Sequence, residues 1–292
     1  MDYIIENEYL KVTVTTYGAQ VKSVLRKCDG VEHMWNADKE VWGFHAPILF
    51  PHAGKVVDGI IEAKGGEYKA GQHGFVRLME HEFVDQTGDS LVLELRSNEE
   101  TLKLFPYEFA LLSIFTLEGD TLHHTLTVEN HDSDKLPFGI GYHPAYAVPF
   151  DDKHVATDYE LRFSDLESPL CLNCLPTGLI QADHYTLGSN IKSIPIDEKL
   201  FENDSHCMVN LVSQTLGIYE KGTGRGVVCD ISGFPYTLLW SKPGMPKFVC
   251  IEPWHSLPSL ENSSRKWEEK PAAAILEPGE SWSTTLSTSF VR

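Results

Sequence analysis

The chain has 292 residues, enough to bury a sizeable core, and carries 42 acidic against 24 basic side chains for a formal net charge of −18. That balance argues against nucleic acid or an anionic membrane as partner, since both need clustered Lys and Arg, and weighs less strongly against a highly anionic substrate. Met1 to Glu8 lacks the basic region and apolar core of a secretory signal, no run approaches the ~18 apolar residues of a membrane span, and the six cysteines are expected as free thiols of a reducing cytoplasm.

Apolar residues recur with period two along most of the chain, the pattern of strands with one buried face. Leu10 to Thr15 alternates, Tyr17-Gly18-Ala19 turns, and Val21 to Arg26 runs on. Glu82 to Asp85 and Leu91 to Arg96 read as strands around Gly88-Asp89. Ser97-Asn98-Glu99-Glu100 has the form of a capping box, opening a short helix that Pro106 stops. The clearest hairpin joins Phe109–Leu117 to Thr121–Glu129 through Glu118-Gly119-Asp120. Asp151 to Pro195 offers turn residues and short apolar pieces, and is expected to include long loops. Later strands are expected at Leu216–Tyr219, Gly226–Ile231, Thr237–Trp240, Phe248–Glu252 and Ser283–Val291, with a turn or two of helix within Ser256–Lys270. No composition break divides the chain and no fixed-period repeat suggests a propeller or solenoid. The expectation is one all-β domain over residues 1–292, a large, mainly antiparallel β-sandwich with few short helices.

Phe138-Gly139-Ile140-Gly141-Tyr142-His143-Pro144 sets a histidine after glycines that permit close backbone approach, and the proline biases His143 toward an extended conformation. Such a stiffly held imidazole is suited to proton transfer near neutral pH. Val249-Cys250-Ile251-Glu252-Pro253-Trp254 repeats the device downstream, and a carboxylate on an apolar strand is costly to bury unless paired. Three further polar residues sit in glycine-rich or apolar frames: His73 in Gly71–Arg77, Asp204 in Leu200–His206, and Lys55 in Leu49–Val56. Each has an ordinary structural reading. His73 is a turn cap, His143 a hydrogen-bonded core histidine, Glu252 a paired structural carboxylate, Asp204 a turn residue and Lys55 a solvated loop lysine. Metal binding finds little support: His123 and His124 are adjacent and point to opposite strand faces, and Cys171-x-x-Cys174 has no second pair. No phosphate loop, dinucleotide fingerprint or G-x-S-x-G elbow is present, so neither cofactor nor metal is expected.

Taken together these segments resemble the aldose 1-epimerases, the galactose mutarotase-like proteins, and most closely the bacterial branch that includes LacX-type proteins. The resemblance runs from Tyr17-Gly18-Ala19 through Pro51–Lys55, Gly71–Arg77, Pro106-Tyr107, Gly141–Pro149 and Glu252-Pro253-Trp254 to Leu276–Glu280. It implies a galactose mutarotase-like supersandwich with a sugar cleft on one sheet. It also implies an isomerase of carbohydrate, notably galactose, metabolism: cytoplasmic, cofactor-free, monomeric or homodimeric, acting on a small sugar. By resemblance His143 is the general acid, Glu252 the general base, His73 a second histidine that contacts the sugar, and Asp204 a ligand of sugar hydroxyls. Lys55 falls where the family usually has arginine, keeping the charge but losing the planar fork, and Arg77 is placed to supply part of that function. Two other readings stay open: a sugar-binding homologue without turnover, and a hexose-6-phosphate mutarotase using Lys55, Arg77 and His52 as a cationic patch.

Overall fold

Leu122, Leu126 and Val128 fall on the buried side of Thr121–Asn130, while Thr121, His123, Thr125 and Thr127 pair with hydroxyl-bearing residues of Ser281–Val291 on the other side. This alternation turns a hairpin into one wall of a core. The computed structural model describes residues 1–270 and 274–292. Its larger sheet has nine antiparallel strands in the order Ile191–Pro195, Tyr159–Glu167, Thr215–Glu220, Gly226–Asp230, Ser281–Val291, Thr121–Asn130, Phe109–Glu118, Ser90–Arg96, Glu82–Gln86. A second sheet runs His184–Thr186, Leu170–Leu172, His206–Val209, Tyr236–Trp240, Phe248–Trp254, Gly141–Tyr142, Ile48–Leu49, with Ala145–Ala147 also paired to Phe248–Trp254. A four-stranded sheet, Asp2–Glu6 to Val31–Glu32, adds its apolar side to the same core. The chain is thus an all-β, mainly antiparallel β-sandwich, as expected.

Two tyrosines tie the large sheets together. Tyr142 donates its hydroxyl to the carbonyls of His124 and Thr284 at 2.7 and 2.9 Å, and the Tyr146 hydroxyl lies 3.1 Å from Thr288 Oγ1. Buried tyrosine hydroxyls must find such partners, so the bonds fix the facing of the sheets as well as their contact.

Two readings change. Tyr159–Glu167 is a nine-residue strand inside the segment expected to include long loops, and Leu170–Leu172, His184–Thr186 and Ile191–Pro195 are strands as well. The short helix is Glu99–Leu102, capped one residue later than expected. Asn98 is the N-cap and the Thr101 hydroxyl, rather than a glutamate, completes the box. The turn of helix expected within Ser256–Lys270 is present as a single 3₁₀ turn, Trp267–Glu269.

The strand Phe248–Trp254 positions the site. Val249 and Ile251 face the main core, while Phe248, Cys250 and Trp254 pack on the opposite, outer face. Period two puts Glu252 on that outer face. It lies between two small apolar clusters, one built on Trp35, Phe248 and Cys250, the other on Cys207, Leu238 and Trp254.

Candidate active site

His143 enters the same outer face from the segment after Gly141–Tyr142, which pairs with Phe248–Trp254. Its Nε2 lies 3.3 Å from Glu252 Oε2, and the two residues are 7% and 2% exposed. Burial drives each toward its neutral form. The Glu252 carboxyl is held well above its ordinary range by desolvation, with the Asp204 charge adding to it. The His143 imidazole is lowered to about 3 by desolvation, with Arg77 adding to that. The pair carries one proton between them, and a shift across 3.3 Å converts carboxyl plus imidazole into carboxylate plus imidazolium.

Aromatic rings wall the pair. Trp42 stacks on His143 with centroids 5.0 Å apart and planes at 24°, and Trp240 meets the same ring edge-on at 5.6 Å. His73 lies edge-on to His143 at 5.5 Å and to Trp254 at 5.6 Å. His73 sits at φ 65°, and Gly74 after it at φ 69°. A side chain on Gly74 would collide with the Phe50 carbonyl, so glycine is required for the turn to press against that strand. Gly54 holds the imidazole twice: its carbonyl accepts from the His73 backbone at 2.8 Å, and its N–H donates to Nδ1 at 3.0 Å. Because Nδ1 accepts, the ring proton sits on Nε2, 3.2 Å from the Gln72 side-chain amide, which turns its oxygen rather than its NH₂ toward the ring to accept that proton. Desolvation holds His73 well below its ordinary range, so it stays neutral and offers an N–H donor.

Asp204, at φ 68°, accepts the Trp240 indole N–H on Oδ1 at 2.6 Å. Asp204 also acts on Glu252, which sets it beside the pair. Arg77 packs its guanidinium over Phe44 at 4.9 Å, donates to the Gln72 carbonyl at 3.0 Å, and lowers both His73 and His143. Lys55 follows Gly54 but donates its ammonium to the Thr177 carbonyl at 3.1 Å, against the loop from Asn173 to Gly178. His52 is 1% exposed and packs on Trp267, lowered to about 3 by desolvation, so Lys55, Arg77 and His52 do not share one cationic surface.

Sequence reading missed Trp42 and Trp240 as walls of the site. Their signal was weak: Trp42 sits between Val41 and Gly43 and Trp240 follows Leu239, so each reads as an ordinary apolar residue, and only tertiary contact says what it packs against.

The pair thus lies buried on the outer face of one sheet, with Trp42 and Trp240 packed against His143 and Trp254 against His73. The chain belongs to the aldose 1-epimerase family, whose model matches residues 1–289. It is 32% identical to the chromosomal protein LacX of Lactococcus lactis subsp. lactis over 282 residues, 94% of each chain. Among solved structures it resembles the galactose mutarotase related enzyme of Lactobacillus acidophilus (TM-score 0.94, 27% identity, 100% and 98% of the two chains covered). It is similar also to a galactose mutarotase-like protein of Lactobacillus casei (TM-score 0.91, 28% identity, 99% of each chain covered).

Proposed function

We propose that this protein is an aldose 1-epimerase, interconverting the α and β anomers of an aldohexose by ring opening. The observation that carries the reading is the buried His143–Glu252 contact of 3.3 Å, with the Trp42 and Trp240 rings packed against His143. Mutarotation needs one proton removed from the C1 hydroxyl and one delivered to the ring oxygen, and a one-proton pair is the minimum equipment.

With sugar bound, Glu252 as carboxylate takes the proton from O1 while His143 as imidazolium gives one to the ring oxygen. The C1–O5 bond breaks and a free aldehyde forms. Rotation about C1–C2 presents the other carbonyl face, and ring closure returns both protons to their donors. The pair therefore resets in each turnover without exchange with solvent. The neutral His73 offers its Nε2–H to a sugar hydroxyl, Asp204 offers its second carboxylate oxygen, and Trp42 and Trp240 cover the apolar ring faces. Arg77 supplies a positive charge that acts on His143, while Lys55 is tied to the Thr177 carbonyl.

Polarimetry on freshly dissolved α-D-galactose and α-D-glucose tests this. Rates proportional to enzyme concentration are expected for at least one sugar. Binding by calorimetry without any rate above buffer would overturn it in favour of a sugar-binding homologue. A strong preference for glucose 6-phosphate over glucose would favour the phosphosugar reading.

A further inference from the structure

Two of the six free cysteines, Cys174 and Cys207, meet on the outer face of the second sheet. Leu172 pairs with Cys207 across neighbouring strands, and Cys174 follows Leu172 by two residues, which puts its side chain on the same face. Both cysteines pack into the apolar cluster that holds Leu238 and Trp254. Cys171 pairs with Met208 and faces the main core instead. Alternation thus matches Cys174 with Cys207 and leaves Cys171 out.

The two sulfurs differ in access. Cys174 is half-buried and lines a cavity of about 330 Å³ with Leu175, Asn203 and Ser205, whereas Cys207 is 1% exposed. They differ in acidity as well. The Cys207 thiol acts on Cys174 as a hydrogen-bond donor and lowers it below the ordinary thiol range, against desolvation and the Asp204 charge. The same bond, with burial, holds Cys207 well above that range. An accessible sulfur inclined to thiolate, beside a shielded and protonated one, is the arrangement of an attacking and a resolving cysteine. Cys207 also stands in line with Glu252: it pairs with Leu238, and Leu238 pairs with Glu252, so the three form one row across the sheet. Asp204, between Asn203 and Ser205, acts on both Cys174 and Glu252. Drawing the two sulfurs together therefore pulls on one end of that row and on the wall opposite Asp204.

We propose that Cys174 and Cys207 form a reversible redox site, closed to a disulfide by a hydroperoxide, and that closure weakens sugar binding at the His143–Glu252 site. The Cys174 thiolate attacks one peroxide oxygen: an S–O bond forms, the O–O bond breaks and hydroxide leaves. The Cys207 sulfur then attacks the Cys174 sulfenic acid: an S–S bond forms, the S–O bond breaks, and the departing hydroxide takes the Cys207 proton. Two thiols and one hydrogen peroxide give one disulfide and two waters, and a dithiol reductant reverses the change. The effect on sugar binding rests on the anomer-interconverting reading; the thiol chemistry does not.

Hydrogen peroxide followed by peptide mapping without reductant tests the pair. In the native protein it should join Cys174 to Cys207, with no other bridge inside the chain, and dithiothreitol should restore both thiols. Cys207→Ser should leave Cys174 as a sulfenic acid that dimedone traps, and Cys174→Ser should leave Cys207 reduced. A different intrachain bridge, no bridge at all, or oxidation of Cys207 in Cys174→Ser would overturn the site. By polarimetry, the oxidised native protein should show KM for galactose or glucose raised roughly threefold to tenfold, about the worth of one ordinary hydrogen bond, with recovery on reduction. Cys174→Ser should keep the native KM with or without peroxide. A mapped bridge with KM unmoved would overturn the link to sugar binding. A native protein that turns over no sugar before oxidation counts against the catalytic reading instead, and the peptide map still decides the redox site.

Discussion

His143 Nε2 sits 3.3 Å from Glu252 Oε2, and burial moves the two groups toward neutrality from opposite sides. The pair is therefore best treated as one titrating unit with apparent values of its own. In the proposed mechanism the one-proton form is the working one, so activity should fall both when a second proton is added at low pH and when the shared one is lost at high pH.

Glu252→Gln removes the group assigned to take the O1 proton while keeping its shape. The anomerisation rate should drop by about 10²–10⁴-fold with the circular dichroism spectrum unchanged. A variant as fast as the native protein would remove Glu252 from the chemistry. Stability supplies an independent check. A carboxyl raised in the folded state contributes stability that is full below its unfolded value and lost as pH rises through the folded one. Glutamine has no such loss, so Glu252→Gln should gain stability relative to the native protein as pH rises, measured by urea midpoints.

Acid should act through the buried histidines. His33, His52, His124 and His143 are lowered to about 3, and His81 and His255 to about 4, in each case chiefly by desolvation. A depressed value means stability that is present above the unfolded value, about 6.5, and lost as pH falls toward 3–4. His124 is the clean probe: its ring stacks on Phe115 at 4.2 Å, and its Nε2 has no hydrogen-bond partner among the described residues. His124→Phe keeps a flat ring there and removes a proton site. It should reduce the stability difference between pH 6.5 and pH 5 by about 2 kcal/mol, read from urea unfolding at the two pH values. An unchanged difference would mean His124 is not charged on unfolding in that window.

Much of this was readable from alternation alone, and the failures have specific causes. Tyr159, Leu161 and Phe163 alternate as a strand should, but the pairing with Ile191–Pro195 shifts register between Arg162 and Glu167, so the pattern loses phase where it would have been recognised. Ser97 and Asn98 are both competent caps, and only the Thr101 hydroxyl, which accepts from the Asn98 backbone at 2.8 Å, decides between them. His143 and Glu252 stood out because proline follows each and apolar residues precede them. Trp42 is distant from both in sequence, and its stacking on His143 exists only after the sheets assemble. The Lys55 position was legible as charge but not as direction: nothing local says that its ammonium ends on Thr177.

Asp204→Asn tests the electrostatic link to Glu252. Asparagine can still accept the Trp240 indole N–H through its amide oxygen, so the loop geometry should hold. Loss of the negative charge relieves the upward push on Glu252. Both limbs of the activity profile should then move toward lower pH. KM should rise by roughly tenfold or more, because a hydrogen bond to a charged group contributes about 1.5–3 kcal/mol. A raised KM with unmoved limbs would leave Asp204 as a sugar ligand only. Unchanged KM and limbs would place it outside the site.

Gly141→Ala asks whether the glycine before His143 serves packing. An added Cβ would meet Trp254 Cδ1 at 2.5 Å and Cγ at 2.9 Å, far inside ordinary contact. Trp254 cannot yield freely, because its indole N–H donates to the Tyr142 carbonyl at 3.1 Å and its ring meets His73 edge-on. The substitution should cost about 1–3 kcal/mol of stability, the usual range for overpacking. It should also lower kcat, since displacing Trp254 disturbs both His73 and the strand that carries Glu252. Gly88→Ala is the control: nothing lies within 4 Å of its added Cβ, so it should leave the unfolding midpoint and the rate unchanged. If Gly141→Ala matches that control in both measurements, close approach of Trp254 is not what this position requires.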